Sequence, residues 1–121
     1  DPHYYYALLL WNDGSVAQAK NEFRRAVELG FKPKSPVEAK QLGDIYGDAG
    51  EYDKALEFYQ RAIDYDPTDV DANLKKGLVY MFKSDGASAK PYLEKVLQLL
   101  PDFKSSPNYP QFRPYFESAG L

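Results

Sequence analysis

The sequence predicts an all-α protein of three successive helical hairpins, with a short helix closing the last one. Two observations of spacing carry this. Gly43, Tyr46, Ala55, Ala62 and Pro67 recur 34 residues later as Gly77, Tyr80, Ala89, Val96 and Pro101, and Ala55, Tyr59 and Ala62 correspond, 36 residues back, to Ala19, Phe23 and Ala26. A third observation is the placing of turn signals within each period: Asn12-Asp13-Gly14-Ser15, Asp48-Ala49-Gly50 and Lys83-Ser84-Asp85-Gly86. A hairpin of this length cannot bury its apolar face alone, so copies of it are expected to stack.

The first helix is expected from about Pro2 to Trp11, with Asp1 as its cap and Pro2 at the first helical position. Ala19, Phe23 and Ala26 share one face of a second helix that ends near Gly30; the alanines admit close approach and Phe23 fills the space between the helices. The linker Phe31 to Ser35 holds the two residues that lengthen the first period. Ser35-Pro36-Val37-Glu38 has the make-up of a capping box with proline at the first helical position. The third helix then carries Leu42, Gly43 and Tyr46. The fourth runs from about Tyr52 to Tyr65 and stops at Asp66-Pro67. Thr68 or Asp69 caps the fifth, which carries Gly77 and Tyr80. Pro91 cannot donate to a helical ladder, so the sixth helix is expected to start near Ser88 or to kink at Pro91, and to end at Leu100-Pro101.

The tail from Asp102 to Leu121 departs from the repeat. Ser105, Ser106, Pro107 and Asn108 predict a loop, and a last helix begins about Pro110. Phe112, Tyr115, Phe116 and Ala119 stand at i, i+3, i+4 and i+7, the spacing of one apolar stripe, and Gly120 is placed to end it. An apolar face left by the third hairpin needs a cover, and this segment is expected to act as that lid and as a natural C-terminus.

The repeated residues resemble the tetratricopeptide repeat, over about Pro2 to Pro101. The second copy keeps nearly every signature position, with Ala39 where Trp is often found. The third has Lys76 for the usual Leu and Leu93 for the aromatic. The first has Tyr6, Ala7 and Leu10 in the slots of Leu, Gly and Tyr. The resemblance implies a right-handed α-solenoid in a single domain, with repeats at about 2–33, 36–67 and 69–101 and a loop and capping helix over 102–121. It also implies a protein-interaction scaffold, since such arrays hold other proteins in a concave groove lined by the first helix of each hairpin.

Carried over slot by slot, the groove-facing residues are Tyr4, Tyr5, Leu8, Trp11 and Asn12 in the first repeat. The second supplies Val37, Lys40, Gln41, Asp44 and Asp48, and the third Asp71, Leu74, Lys75, Leu78, Met81 and Phe82. Apolar walls around a polar centre suit an extended peptide or an amphipathic helix. The competing reading is that Tyr4, Trp11 and Phe82 only pack the repeats or cover an end. One subset of the family clamps chaperone C-terminal carboxylates with Lys, Asn and Arg; here only Lys75 fits that set and Asp71 would repel a carboxylate, so chaperone-tail binding is not expected.

Composition narrows the other classes. The 121 residues carry a formal net charge of -3 with Lys and Arg scattered among Asp and Glu, so no basic stripe is present to track nucleic acid. The longest apolar run, Ala7 to Trp11, is far short of a membrane span. There is no cysteine and one histidine, His3, which leaves no material for a thiolate nucleophile or a histidine-ligated zinc site. No cofactor is expected. Asp64, Asp66, Asp69 and Asp71 look like the start of a calcium loop, but Asp69 stands where that loop needs Gly and no Glu closes it, so these carboxylates are expected to stop and cap helices instead. Asp44 and Asp48 at i, i+4 mimic an acid pair, but solvation or a basic partner residue accounts for them better than catalysis.

The expected function is therefore a non-enzymatic module that binds a protein or peptide, the C-terminal part of a larger bacterial protein, in the cytoplasm or the periplasm. Tyr4, Trp11, Leu78 and Phe82 would form the walls; Lys40, Asp44, Asp48 and Lys75 would set the charge register. Two alternatives stay open: self-association through the Tyr4-Tyr5-Tyr6 end, and a non-catalytic segment of a membrane enzyme of polysaccharide assembly.

Overall fold

The computed structural model describes residues 2–121, and these form seven α-helices: α1 Pro2–Asn12, α2 Val16–Glu28, α3 Pro36–Asp48, α4 Tyr52–Tyr65, α5 Val70–Phe82, α6 Gly86–Leu99 and α7 Tyr109–Ser118, with a 3-10 turn at Phe103–Ser105. The expected cap Asp1 lies outside the described residues. The chain divides into two compact units at the Lys34–Ser35 junction.

The first unit is the hairpin α1–α2. Its turn is set by Gly14 at φ 85°, where a side chain would be strained. Ala7, Ala19 and Ala26 are fully buried, which brings the two backbones close, and Phe23 fills the space they leave. Tyr4 packs edge-on to Phe23 at 5.4 Å and stacks on Phe31 at 4.2 Å. At 1% exposure it belongs to the core. Burying one such ring contributes about 2–3 kcal/mol. The linker residue Phe31 therefore folds back on its own hairpin.

The second unit holds hairpins α3–α4 and α5–α6, with α7 against the end. Ser35 caps α3 as expected, accepting from the Glu38 N–H at 3.2 Å. Ala39, Ala62 and Ala72, all fully buried, let α4 pack closely against both α3 and α5. Of the two expected caps for α5, Asp69 takes the role, accepting from the Ala72 N–H at 3.1 Å. The buried Asn73 reinforces this turn by donating to the Pro67 and Asp69 carbonyls at 3.3 and 2.9 Å. Asp66 closes α4 and accepts from the Thr68 N–H and hydroxyl, which lowers its pKa below the usual carboxylate value.

The sixth helix corrects an expectation. It starts at Gly86, two residues ahead of Ser88, because Asp85 rather than a later residue caps it by accepting from the Ser88 N–H at 3.0 Å. The helix continues through Pro91, which is exposed. The tail begins with a 3-10 turn in place of open loop and buries Phe103 among Tyr109, Phe112 and Phe116. Phe116 is fully buried against Leu93, Val96 and their neighbours, so α7 covers the apolar end of α5–α6. Gly120 at φ 87° ends α7. The C-terminal Leu121 carbonyl then accepts from Lys104 Nζ at 2.6 Å.

Candidate interaction groove

In the second unit α3 and α5 flank α4, and long side chains from the two outer helices meet across it. Lys40 on α3 pairs with Asp69 at 3.0 Å and Asp71 at 3.7 Å. Lys75 on α5 pairs back to Asp44 on α3 at 2.9 Å and to Asp71 one turn earlier at 3.3 Å. The floor comes from α4: the Tyr59 hydroxyl donates to Asp44 Oδ1 at 2.5 Å. Gly43 makes room for that ring, since a Cβ there would fall 2.5 Å from Tyr59 Cε1.

The electrostatics follow from this packing. Burial and the hydrogen bond to Asp44 push the Tyr59 phenol far above its usual range, and the charges of Asp44, Asp71 and Asp48 all act in the same direction. Asp44 contacts the hydroxyl directly, and the charges of Asp71 and Asp48 act on it through space. Burial works against the charge on Lys75, but the hydrogen bonds and charges of Asp44 and Asp71 outweigh it and its pKa is raised. Lys75 is thus held as an ammonium group by this chain's own carboxylates.

The expected site residues divide into three sets. Lys40, Gln41, Asp44 and Asp48 lie on α3 of the second unit and Lys75, Leu78, Met81 and Phe82 on α5; Leu78 and Met81 are partly buried against the core under α7, and Phe82 is 49% exposed and in contact with Tyr52 and Tyr115. Tyr5, Leu8, Trp11 and Asn12 lie on α1 of the first unit; Tyr5 and Asn12 are exposed, and Trp11 is half-buried edge-on to Phe23 at 6.3 Å. Tyr4 is the correction. Its ring lies between Phe23 and Phe31 and offers nothing to a partner. Leu74 is likewise core, packed with Leu93 and Phe116.

Two contributors were missed by slot-by-slot reading. Tyr59 looked like packing, yet its hydroxyl organises the groove floor. Lys76, in the slot of a core Leu, is buried, donates to Gln60 and sits 4.5 Å above the Tyr92 ring. The other carboxylates of the suspected calcium loop have local tasks: Asp66 and Asp69 stop and cap helices, and Asp64 accepts from Gln60 at 2.8 Å. Among the described residues no group of three or more His, Cys, Asp or Glu is arranged to hold a metal ion.

Comparison with known proteins places this geometry. Family models described as TPR repeat and tetratricopeptide repeat match residues 43–82 and 70–103. Anaphase-promoting complex subunit 3 of Schizosaccharomyces pombe is 35% identical over 74% of the chain, and protein O-mannosyl-transferase TMTC1 of Homo sapiens is 34% identical over 63%. The chain spans only 13% and 9% of their lengths. Among solved structures, YrrB, a TPR protein with an unusual peptide-binding site, superposes with a TM-score of 0.70 at 18% identity, covering 97% of this chain and 61% of that one. The TPR2B domain of yeast Sti1, in its pHsp70 complex, gives 0.70 at 14% identity, covering 99% and 98%. At these identities the structural likeness establishes the fold.

Proposed function

Because the chain belongs to the tetratricopeptide repeat family, whose fold serves as a protein-interaction scaffold, we propose that its second unit receives a peptide or helix of a partner protein in the groove between α3 and α5. The observation that carries this is the pairing of a fixed polar floor with an exposed apolar rim. Asp44 is held from two sides by Tyr59 and Lys75, so the floor is ordered before anything binds. On the same two helices Phe82 and Val37 stay 49% and 70% exposed. Large apolar side chains next to a preorganised polar strip are what a docking segment uses for affinity and register.

The groove does not suit a terminal carboxylate. Lys75 is already bound to two Asp side chains, and an incoming carboxylate would have to displace both. The fold likeness to the Sti1 domain thus does not bring that domain's ligand with it. Catalysis is not part of this reading either: Asp44 is committed to two partners, and the transferase activity named for the human relative belongs to a protein of which this chain matches a small part. The wider setting, a C-terminal module of a larger bacterial protein, is proposed on the sequence alone.

Photo-crosslinking tests the groove. With a benzophenone amino acid at Leu78 or Met81, irradiation in the native cell is expected to give a discrete adduct. The same group at Tyr65, on the exposed surface of α4, is expected to give none. Adducts from Tyr65 alone would contradict the reading.

A second reading is favoured by one observation: Tyr5, Tyr6 and Leu9 on α1 are 59%, 52% and 68% exposed. An apolar helix face of this kind supports self-association of the first unit. Sedimentation velocity should then show a concentration-dependent dimer that Tyr5→Ser with Leu9→Ser abolishes; a strict monomer removes this reading.

A further inference from the structure

We propose that the Asp13–Gly14 bond is a site of spontaneous covalent modification: in the folded chain Asp13 isomerises to isoaspartate, and the altered turn releases the end of α1 from α2.

The step needs only water. The Gly14 amide nitrogen attacks Asp13 Cγ and forms an N–Cγ bond, and the carboxyl hydroxyl leaves with the amide proton as water. Water then adds to the five-membered imide. Opening at the carbonyl next to Cα leaves the chain running through Cβ and Cγ, with its mass unchanged and a new free α-carboxylate. Glycine in the second position permits this, because a side chain there would crowd the attacking nitrogen.

The chain has two Asp–Gly bonds, Asp13–Gly14 and Asp85–Gly86, and the fold treats them differently. Asp85 caps α6, and its carboxylate accepts from the Ser88 N–H at 3.0 Å. The hydrogen bonds from Ser88 hold its pKa below the usual carboxylate value, away from the neutral carboxyl that the attack requires. Gly86 begins α6 and lies against the end of α7, with the Ser118 carbonyl oxygen 3.6 Å from where its Cβ would stand. That peptide is pinned on both sides.

Asp13 and Gly14 are both exposed, in the turn between α1 and α2. Nothing lies within 4 Å of the place a Gly14 Cβ would take. Among the described residues no donor engages the Asp13 carboxylate. The Gly14 N–H does donate to the Trp11 carbonyl, at 3.2 Å. A neutral bond of that length at an exposed helix end opens more readily than the charge-assisted cap of Asp85.

The product would undo the turn. Gly14 N–H to Trp11 and Ser15 N–H to the Leu10 carbonyl, at 2.9 Å, together close the end of α1. Isoaspartate puts one more backbone atom between Asp13 Cα and Gly14 N, so the two donors lose their register. Trp11, the one tryptophan of the chain, stands in the last turn of α1, edge-on to Phe23 at 6.3 Å, and would lose that hold.

The test is to age the folded chain for weeks in neutral buffer at physiological temperature and map its peptides. An isoaspartyl peptide keeps its mass, shifts in chromatographic retention and resists a protease that cleaves before aspartate. Isoaspartate should accumulate at Asp13 at least about tenfold faster than at Asp85, the factor imposed by breaking one charge-assisted hydrogen bond first. In urea, where neither bond is held, the two should react at similar rates. Trp11 emission should move to longer wavelength as the parent ages but not in Asp13→Glu, which would have to close a less favoured six-membered ring. No isoaspartate at Asp13 in the folded chain, or equal rates at the two bonds there, would overturn the site. Isomerised Asp13 with unmoved Trp11 emission would overturn the release of α1.

Discussion

Hairpins α3–α4 and α5–α6 share one spacing, yet they solve the same helix crossing differently. In the first, Gly43 faces the ring of Tyr59; in the second, Gly77 faces Leu93, whose Cδ2 would lie 2.6 Å from an added Cβ. The residue at the crossing matches the slot next to it. Tyr59 carries a hydroxyl, and the groove slot of α3 is Asp44, which needs a donor; Leu93 carries none, and the equivalent slot of α5 is Leu78. Packing on the inside is thus matched at the neighbouring groove slot, polar at Asp44 and apolar at Leu78. The repeat consensus treats position 59 as a space-filler, but here it sets surface chemistry.

The largest effect should come from emptying the apolar crossing. Leu93 is fully buried between α5, α6 and the α7 cap, so Leu93→Ala should cost about 3 kcal/mol in urea unfolding, by lost burial and the cavity left behind. A loss below about 1 kcal/mol would mean the α7 end is not the well-packed core described above.

Filling the crossings should separate the two hairpins more finely. Gly43→Ala should cost about 2 kcal/mol, because the Tyr59 ring it strikes is rigid and anchored by Asp44. Gly77→Ala should cost as much, ~2 kcal/mol, because the added Cβ falls 2.6 and 2.8 Å from Cδ2 and Cγ of Leu93, which is fully buried and has no space to yield. In a Tyr59→Phe background the cost of Gly43→Ala should fall while that of Gly77→Ala stays; an unchanged cost of Gly43→Ala would break the argument that the hydroxyl pins the ring.

A third difference lies in the hairpin turns. Gly14, Gly50 and Ser84 occupy equivalent positions, all with positive φ, at 85°, 76° and 58°. A serine there is strained where glycine is not, so Ser84→Gly should raise stability by about 1 kcal/mol. Thermal unfolding checks the sign, and a lower melting temperature would contradict it.

The smallest effect is the alkaline limit of the groove. Tyr59 and Lys75 both have pKa values raised above their ordinary 10.0 and 10.5. The stability each contributes is complete below those ordinary values and is lost as pH rises beyond them. Unfolding in urea at pH 9 and pH 11 should therefore show a decline, shallower in Tyr59→Phe than in the parent.

Much of this was legible in the residues. The hairpins followed from the period, and the caps Ser35 and Asp69 followed from side chains that accept backbone N–H groups only at helix starts. What escaped depends on contacts distant in sequence. Tyr4-Tyr5-Tyr6 is aromatic without periodicity, so nothing in it says that Tyr4 alone turns inward to Phe31. Phe103 sits in a stretch of turn-forming residues, and its burial depends on α7 folding back. The Asp44–Tyr59 bond joins residues on different helices of one hairpin, each with an ordinary explanation of its own. Lys76 fills a leucine slot because Gln60 and Tyr92, from the two neighbouring helices, supply a hydrogen bond and a ring face for its ammonium group.

The central claim is that the α3–α5 face receives the partner, and amide chemical-shift mapping tests it most directly. On titration with a peptide from the partner segment identified by crosslinking at Leu78 or Met81, the largest shifts should fall at Asp44, Asp48, Asp71, Leu78 and Phe82. Shifts confined to Arg61, Asp64 and Tyr65 on the exposed surface of α4 would contradict the account.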